Sequence, residues 1–137
     1  MKYPVVLHTD DGINYGVTVP DIPGCFSAGE GIEEALEQVV EAIEGHLEIL
    51  VEDGQQVPVA TAINKHQANP DYEGGIWALV DIDITPFLGK AERINVTLPA
   101  LLVKHIDDFV MLHPEYKSRS GFLAAIAQDK LLRPESR

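Results

Sequence analysis

The hydrophobic residues of the chain follow two different periods, and the longest regular stretch has the period of a helix. From residue 32 to residue 51, apolar side chains recur at steps of three and four, which is the spacing of one helix face. Glu33 and Glu34 stand in the first turn, where carboxylates favour the positive end of the helix dipole. Gly54 follows as a C-terminal cap would. The pattern predicts a long amphipathic helix over residues 32–53.

Short β-branched runs surround this helix. Residues 3–8, 15–19 and 25–28 are typical of short strands, and the Asp-Gly at residues 11–12 is the usual signal for the turn of a hairpin. A further apolar run over residues 76–84 predicts a long strand that completes the sheet. The polar, proline-containing residues 55–75 predict a surface loop. We therefore expect an α+β fold in which one helix covers a face of an antiparallel sheet.

Residues 93–99, RINVTLP, have the alternating period of a strand. The polar residues Arg93, Asn95 and Thr97 alternate with three apolar ones, so the two sets lie on opposite faces. Pro99 then suits the first turn of a helix. Apolar spacing predicts helices over residues 99–112 and 119–131, separated by a break at His113-Pro114.

A strand and two helices in under 50 residues are too small to bury much core. A lone strand also leaves its backbone donors and acceptors unpaired. Both problems disappear if two chains pair these strands antiparallel and interlock their helices. The sequence therefore predicts a homodimer through this segment.

Charge differs sharply between the two parts of the chain. The net charge is −12, but residues 1–88 carry two basic and 16 acidic side chains, whereas residues 89–137 carry eight basic and six acidic ones. This asymmetry suggests an acidic part that meets a basic partner and a second part that approaches a polyanion, although an acidic surface can serve solubility alone. We place the domain boundary at the Pro- and Gly-containing linker, giving domains 1–88 and 89–137.

The segment RINVTLPALLVKHIDDFV, with SRSGFLAAIA after the break, resembles a ribbon-helix-helix DNA-binding domain. In that family the paired strands enter the major groove, and the resemblance implies base contacts from Arg93, Asn95 and Thr97. Arginine can donate two hydrogen bonds to guanine, and asparagine can bracket adenine. The resemblance also implies phosphate contacts at the start of the second helix, from Lys117, Ser118, Arg119 and Ser120. Taken singly, an alternating strand or a serine before a helix is more often only an edge strand or a cap.

The first part of the chain resembles a HicB-type antitoxin. The resemblance is carried by YGV at residues 15–17, VPDIPGC at 19–25, GE at 29–30, EEA at 33–35 and WALVDID at 77–83. It implies a HicB-like, partial RNase H-like domain that binds a small basic HicA-type mRNA-cleaving toxin, in a chain that represses its own operon by binding operator DNA. We expect part of the toxin contact on the solvent side of the long helix, at Glu34, Glu37, Glu41, Glu44 and Glu48. The ribbon-helix-helix dimer, or a higher oligomer built from it, would bind the operator.

Two alternatives remain at this point. The carboxylates Asp10, Asp11, Asp21, Asp81 and Asp83 could hold magnesium for nuclease chemistry. Ordinary turn chemistry explains the Asp10-Asp11 pair, and the polar face of a strand explains Asp81 and Asp83, without a metal. We expect no enzyme activity and no cofactor. We also expect no metal, since the histidines show no ligand spacing with Cys25. Cys25 itself is expected to be a small buried hydrophobe. The second alternative is a ribbon-helix-helix repressor whose acidic domain senses a small ligand.

The cellular compartment follows from simple counts. No apolar run approaches the roughly 20 residues that span a bilayer, and the N-terminus lacks the apolar core of a signal peptide. A single cysteine excludes an internal disulfide and fits a reducing compartment. We expect a cytoplasmic protein with no membrane partner.

Overall fold

The computed structural model of the chain describes residues 1–132, which form two compact units. The first unit ends at Gly89 and the second begins at Lys90. The predicted second domain extends through residues 133–137, which lie outside the described residues. The first unit contains the strands β1 (Lys2–His8), β2 (Asn14–Thr18), β3 (Phe26–Glu30) and β4 (Ile76–Asp81) and the helix α1 (Ile32–Glu52). The second contains the helices α2 (Ala100–Leu112) and α3 (Arg119–Leu131).

The four strands form one antiparallel sheet in the order β3-β2-β1-β4. Val6 of β1 is paired with Thr18 of β2 on one side and with Trp77 of β4 on the other. Five successive residues of β1 are buried, from Tyr3 to Leu7, because this strand has neighbours on both edges and protein on both faces. The predicted α+β fold with an antiparallel sheet is confirmed.

The fourth strand is shorter than the sequence predicted. The expected strand over residues 76–84 ends at Asp81, and the backbone N–H of Ile82 donates to the Met1 carbonyl at 2.8 Å. A 3-10 turn over Thr85–Phe87 follows, with Pro86 in its first positions. Proline has no N–H for a strand ladder, so the chain leaves the sheet before it.

Helix α1 covers one face of the sheet, packing mainly on β3 and β2. Its buried face consists of Ala35, Val39, Ile43 and Leu47, which follow the predicted helical period. Each fully buried Val, Ile or Leu side chain contributes about 1.5–3 kcal/mol through removal of apolar surface from water. This packing fixes the orientation of α1, so its other side faces solvent.

The predicted C-terminal cap of α1 is confirmed. Gly54 has φ of 75°, in the left-handed region that glycine adopts without strain. Its N–H donates to the Val51 carbonyl at 3.0 Å, and the N–H of Gln55 donates to the Leu50 carbonyl at 2.8 Å. This is the Schellman pattern, which satisfies carbonyls that the helix end would otherwise leave without donors.

The second unit is two helices joined by a short 3-10 turn, Pro114–Tyr116. The predicted helices and the predicted break between them are confirmed. The ring of Phe109 lies 5.8 Å from that of Tyr116 and 5.5 Å from that of Phe122, centroid to centroid. Apart from this aromatic cluster the unit has little core: of its described residues, Ile106 alone is buried.

Residues 91–99 carry no regular secondary structure, so the strand expected over residues 93–98 is not formed in the single chain. Ile94 and Val96, its two central apolar residues, are 74% and 58% exposed. A strand exists only when its backbone groups pair with a neighbour. No segment within residues 1–132 pairs with this one. The strand therefore remains a prediction for a chain paired with a second copy.

Candidate functional site

Helix α3 begins with a side-chain cap. Ser118 is the N-cap, and its Oγ accepts a hydrogen bond from the backbone N–H of Gly121 at 3.0 Å, so the predicted serine cap is confirmed. The residue before it, Lys117, has φ of 68°, and the turn it makes brings the Tyr116 carbonyl against Gly121. A side chain at Gly121 would overlap that carbonyl oxygen. The local geometry therefore depends on both the serine and the glycine.

The four residues predicted to contact phosphate are all exposed at this helix end. Within the described chain, the backbone N–H groups of Arg119 and Ser120 donate to no protein acceptor. Free N–H groups and the helix dipole at an N-terminus favour an anion. The structure thus brings Lys117, Ser118, Arg119 and Ser120 together at a place suited to a phosphate group.

One of these four is already engaged by a carboxylate. Arg119 donates from Nε to Oδ1 of Asp107 at 3.0 Å and from Nη2 to Oδ2 at 2.8 Å. The hydrogen bond from Arg119, together with its charge, lowers the pKa of Asp107, and the same contact raises the pKa of Arg119. The two side chains are 46% and 53% exposed, so water reaches the pair.

The three residues predicted to contact bases, Arg93, Asn95 and Thr97, lie on the exposed segment before α2. None of them makes a hydrogen bond or an ion pair with another residue between 1 and 132. Since no ladder forms in the single chain, the structure does not group these side chains on one face. Their positions as base contacts stay a prediction.

The five glutamates predicted to contact a toxin are all exposed on the solvent side of α1. They are Glu34, Glu37, Glu41, Glu44 and Glu48. An α-helix rises about 1.5 Å per residue, so this acidic stripe places a carboxylate roughly every 5 Å over about 21 Å. No cation among the described residues forms an ion pair with the stripe. Uncompensated negative charge of this kind attracts a basic partner.

A polar cluster that sequence reasoning missed connects the 55–75 loop to the turn that follows β2. Asp21 accepts from the backbone N–H of Thr61 and from its hydroxyl, each at 2.7 Å. Nε2 of His66 lies 3.1 Å from the Asp21 carboxylate and 2.8 Å from the Thr61 hydroxyl. The His66 ring stacks on Trp77 at 6.3 Å between centroids. We call Asp21, Thr61 and His66 the loop clasp. Asp21 lies 40 positions before Thr61 and 45 before His66, so no local spacing in the sequence predicts the cluster.

The segment VPDIPGC forms a closed turn. Val19 N–H donates to the Cys25 carbonyl at 3.2 Å, and Cys25 N–H donates to the Ile22 carbonyl at 3.0 Å. Ile22 and Cys25 are buried, and burial raises the pKa of the Cys25 thiol. The thiol therefore stays protonated near neutral pH and packs as a small apolar group, as expected from the sequence.

The carboxylates considered for nuclease chemistry have other surroundings. Asp11 accepts the backbone N–H groups of the β1–β2 turn, Asp83 accepts from the Thr85 N–H at 3.0 Å, and the 72% exposed side chain of Asp81 lies 3.4 Å from the N-terminal ammonium. Between residues 1 and 132, no three His, Cys, Asp or Glu side chains lie close enough together to hold a metal ion. None of the helices in this range combines the length and apolarity that crossing a bilayer requires.

Comparison with known proteins gives consistent relatives over nearly the whole chain. An uncharacterized 14.9 kDa protein in the rep-hol intergenic region of Haemophilus phage HP1 is 46% identical over 133 residues, which are 96% of this chain and 98% of that protein. The crystal structure of the Burkholderia pseudomallei antitoxin HicB has 44% identity and a TM-score of 0.73, covering 96% of this chain and 98% of that one. A chain from a HicA3 and HicB3 toxin-antitoxin complex, 30% identical with a TM-score of 0.52, matches 61% of this chain and 99% of its own length.

The family match covers more than the sheet and the first helix. Residues 3–127 match the family described as HicB_like antitoxin of bacterial toxin-antitoxin system, so the match runs from β1 into α3. The predicted resemblance to a HicB-type antitoxin is thereby confirmed. This chain belongs to the HicB-like antitoxins of bacterial toxin–antitoxin systems.

Proposed function

We propose that the chain neutralises a small basic HicA-type toxin, an mRNA-cleaving enzyme, through its first unit, and represses its own operon through its second. In this proposal the chain acts in the cytoplasm and is not itself an enzyme. The relative in the HicA3 and HicB3 complex supports a partner of this kind. The two roles use parts of the chain with opposite charge balance.

The acidic stripe on α1 supports the toxin-binding role. Residues 1–88 carry two basic and 16 acidic side chains, and the stripe presents five of these carboxylates on one rigid helix face. A partner that binds RNA must carry a basic surface, and exposed carboxylates at intervals of about 5 Å can occupy it in place of phosphates. Complementary charge of this kind speeds encounter and selects the partner more than it deepens affinity.

The apolar surface that the second unit leaves exposed supports the proposed dimer. Nine large hydrophobic residues are exposed there against one that is buried, Ile106. The exposed nine are Ile94, Val96, Leu101, Leu102, Phe109, Met111, Leu112, Ile126 and Leu131. Exposed apolar surface on this scale marks an interaction site. A second copy that pairs residues 93–98 and interlocks the helices would cover this surface and complete the strand at once, and this is the observation on which the proposal mainly rests.

DNA binding follows from the same dimer. Pairing two copies of residues 93–98 turns Ile94, Val96 and Leu98 inward and Arg93, Asn95 and Thr97 outward, because a strand alternates its faces. The start of α3 would then supply the phosphate contacts described above. We expect binding to an operator with two-fold symmetry, weakening steeply as salt rises.

Co-expression with a neighbouring gene for a short basic protein tests the toxin-binding role. We expect that gene alone to arrest growth and the wild-type chain to restore it. Glu41→Lys with Glu44→Lys reverses charge on the acidic stripe and should reduce rescue. Asp71→Lys with Glu73→Lys makes the same charge change at exposed positions in the 55–75 loop and should rescue as the wild type does. Equal rescue by both pairs would exclude the acidic stripe from the contact.

A further inference from the structure

Arg119 is held by a carboxylate that occupies the same donors a phosphate would use. Two N–H groups of the guanidinium, on Nε and Nη2, point at the two oxygens of Asp107 at 3.0 and 2.8 Å. This fork also fits a phosphate group. Arg119 is the first residue of α3 and stands among the four exposed residues that the DNA-binding proposal assigns to phosphate.

We propose that Asp107 competes with the DNA backbone for Arg119 and thereby limits the affinity of this chain for its operator. The inference rests on the proposed DNA binding. While the pair is closed, the Asp107 charge cancels that of Arg119, and Lys117 is the cation left without an ion-pair partner in the described residues at this helix end. A phosphate engages Arg119 through this fork only by displacing Asp107 or by sharing its donors.

The pair is placed where such an exchange costs little. Both side chains are about half exposed, at 46% and 53%, so water and salt screen their attraction. DNA phosphates act together as a dense row of charges, whereas Asp107 acts alone. Asp107 therefore reduces the gain from binding DNA without preventing it.

The fold of the second unit does not depend on this pair. Phe109, Tyr116 and Phe122 join α2, the 3-10 turn and α3 at ring distances of 5.4 to 5.8 Å. The start of α3 is separately fixed by the Ser118 cap. Replacing Asp107 by its amide isostere should therefore release Arg119 and leave the helices in place.

The matched pair Asp107→Asn and Asp108→Asn tests the competition. Both remove one negative charge from α2, but Asp108 is exposed and has no ion-pair partner among residues 1–132. Binding of each full-length variant to labelled DNA from the promoter of its own operon is measured by fluorescence anisotropy. We expect Asp107→Asn to bind on the order of fivefold more tightly than Asp108→Asn. In an Arg119→Ala background the two should bind equally, and thermal unfolding should show both variants folded.

Three results would overturn the competition while leaving the proposed DNA binding intact. Equal affinities of Asp107→Asn and Asp108→Asn in the chain that retains Arg119 would mean that Asp107 has no effect through Arg119. Weaker binding by Asp107→Asn would mean that Asp107 orients Arg119 towards DNA instead. A difference that persists in the Arg119→Ala background would mean that Asp107 acts by another route. Failure of the wild-type chain to bind the promoter at all would remove the proposed DNA-binding role, and the competition with it.

Discussion

Asp11 organises the turn between β1 and β2 with one carboxylate. Its Oδ1 accepts the backbone N–H groups of Ile13 and Asn14, each at 2.8 Å, and its Oδ2 accepts from the Asn14 side chain at 3.0 Å. The backbone hydrogen bonds from Asn14 and Ile13 lower the pKa of Asp11 from 3.8 to about 2. The ionised form is thus the one that the folded turn prefers.

We expect Asp11→Ala to lower the free energy of unfolding at pH 7. Because the pKa is lower in the folded chain, the contribution of the charge is present above about pH 4 and is lost as the pH falls through about 2. The difference between wild type and Asp11→Ala, measured by urea unfolding, should therefore shrink between pH 4 and pH 2. Asp11→Asn keeps a neutral acceptor and should fall between the two at pH 7. A difference that stays constant down to pH 2 would contradict this account.

The loop clasp is a second side-chain contact that holds a local segment, the 55–75 loop, in place. The side chain of Asp21 is 7% exposed and accepts both hydrogen bonds from Thr61, so Asp21→Ala removes the acceptor of these partly buried donors. We expect amide hydrogen exchange over residues 58–69 to accelerate by roughly tenfold or more. Asp71→Ala, at an exposed acid of the same loop, should leave the exchange unchanged. Identical protection in both variants would mean that other contacts hold the loop.

At the scale of elements, periodicity predicted each helix because amphipathic patterns are local. The predicted helix 119–131 and the structural α3 share their bounds, and the Ser118 cap was visible as a serine before an apolar run. Strand pairing was less visible. β4 lies beside β1 although more than 65 residues separate Lys2–His8 from Ile76–Asp81 in sequence, and no local signal encodes that neighbour. The loop clasp was missed for the same reason.

The candidate DNA site could be predicted only by position. The alternation of Arg93, Asn95 and Thr97 with apolar residues specifies two faces of a strand, but the single chain supplies no partner for it. The Asp107–Arg119 pair joins two helices, so it required the folded arrangement of α2 and α3. The sequence thus located the candidate DNA-contact residues. Only the folded arrangement shows that Arg119 is engaged by Asp107.

The ribbon proposal makes a specific prediction for DNA binding. Arg93→Ala and Asn95→Ala should each weaken binding to the operator by about 5- to 150-fold, the range for one base contact. Asn95→Ala should change binding to unrelated DNA little, since asparagine carries no charge. Lys90→Ala, at an exposed cation just before the segment, should lower both kinds of binding together. Gel-shift titration with wild-type affinity for both base-contact variants would remove these side chains from the interface.

At the scale of the whole molecule, the two units differ in how much of their apolar surface the single chain buries. The first unit buries β1 on both faces and one side of α1, and it presents a charged surface. The second buries Ile106 and exposes most of its other large apolar residues. A unit of this kind gains its core by association, so its stability should rise with protein concentration. Pairing of two chains through residues 93–98 would therefore supply both the missing core and the proposed DNA-binding surface.

Light scattering of purified variants measures that pairing directly. We expect the wild type to have a molar mass of at least twice the 15.0 kDa of one chain. Ile94 is 74% exposed in the single chain, so Ile94→Asp costs the lone chain little but puts a charge on the inward face of a paired ribbon. Asn95→Asp puts the same charge one residue along, on the outward face. The account predicts a lower mass for Ile94→Asp and a wild-type mass for Asn95→Asp; a monomeric wild type, or Ile94→Asp with unchanged mass, would contradict it.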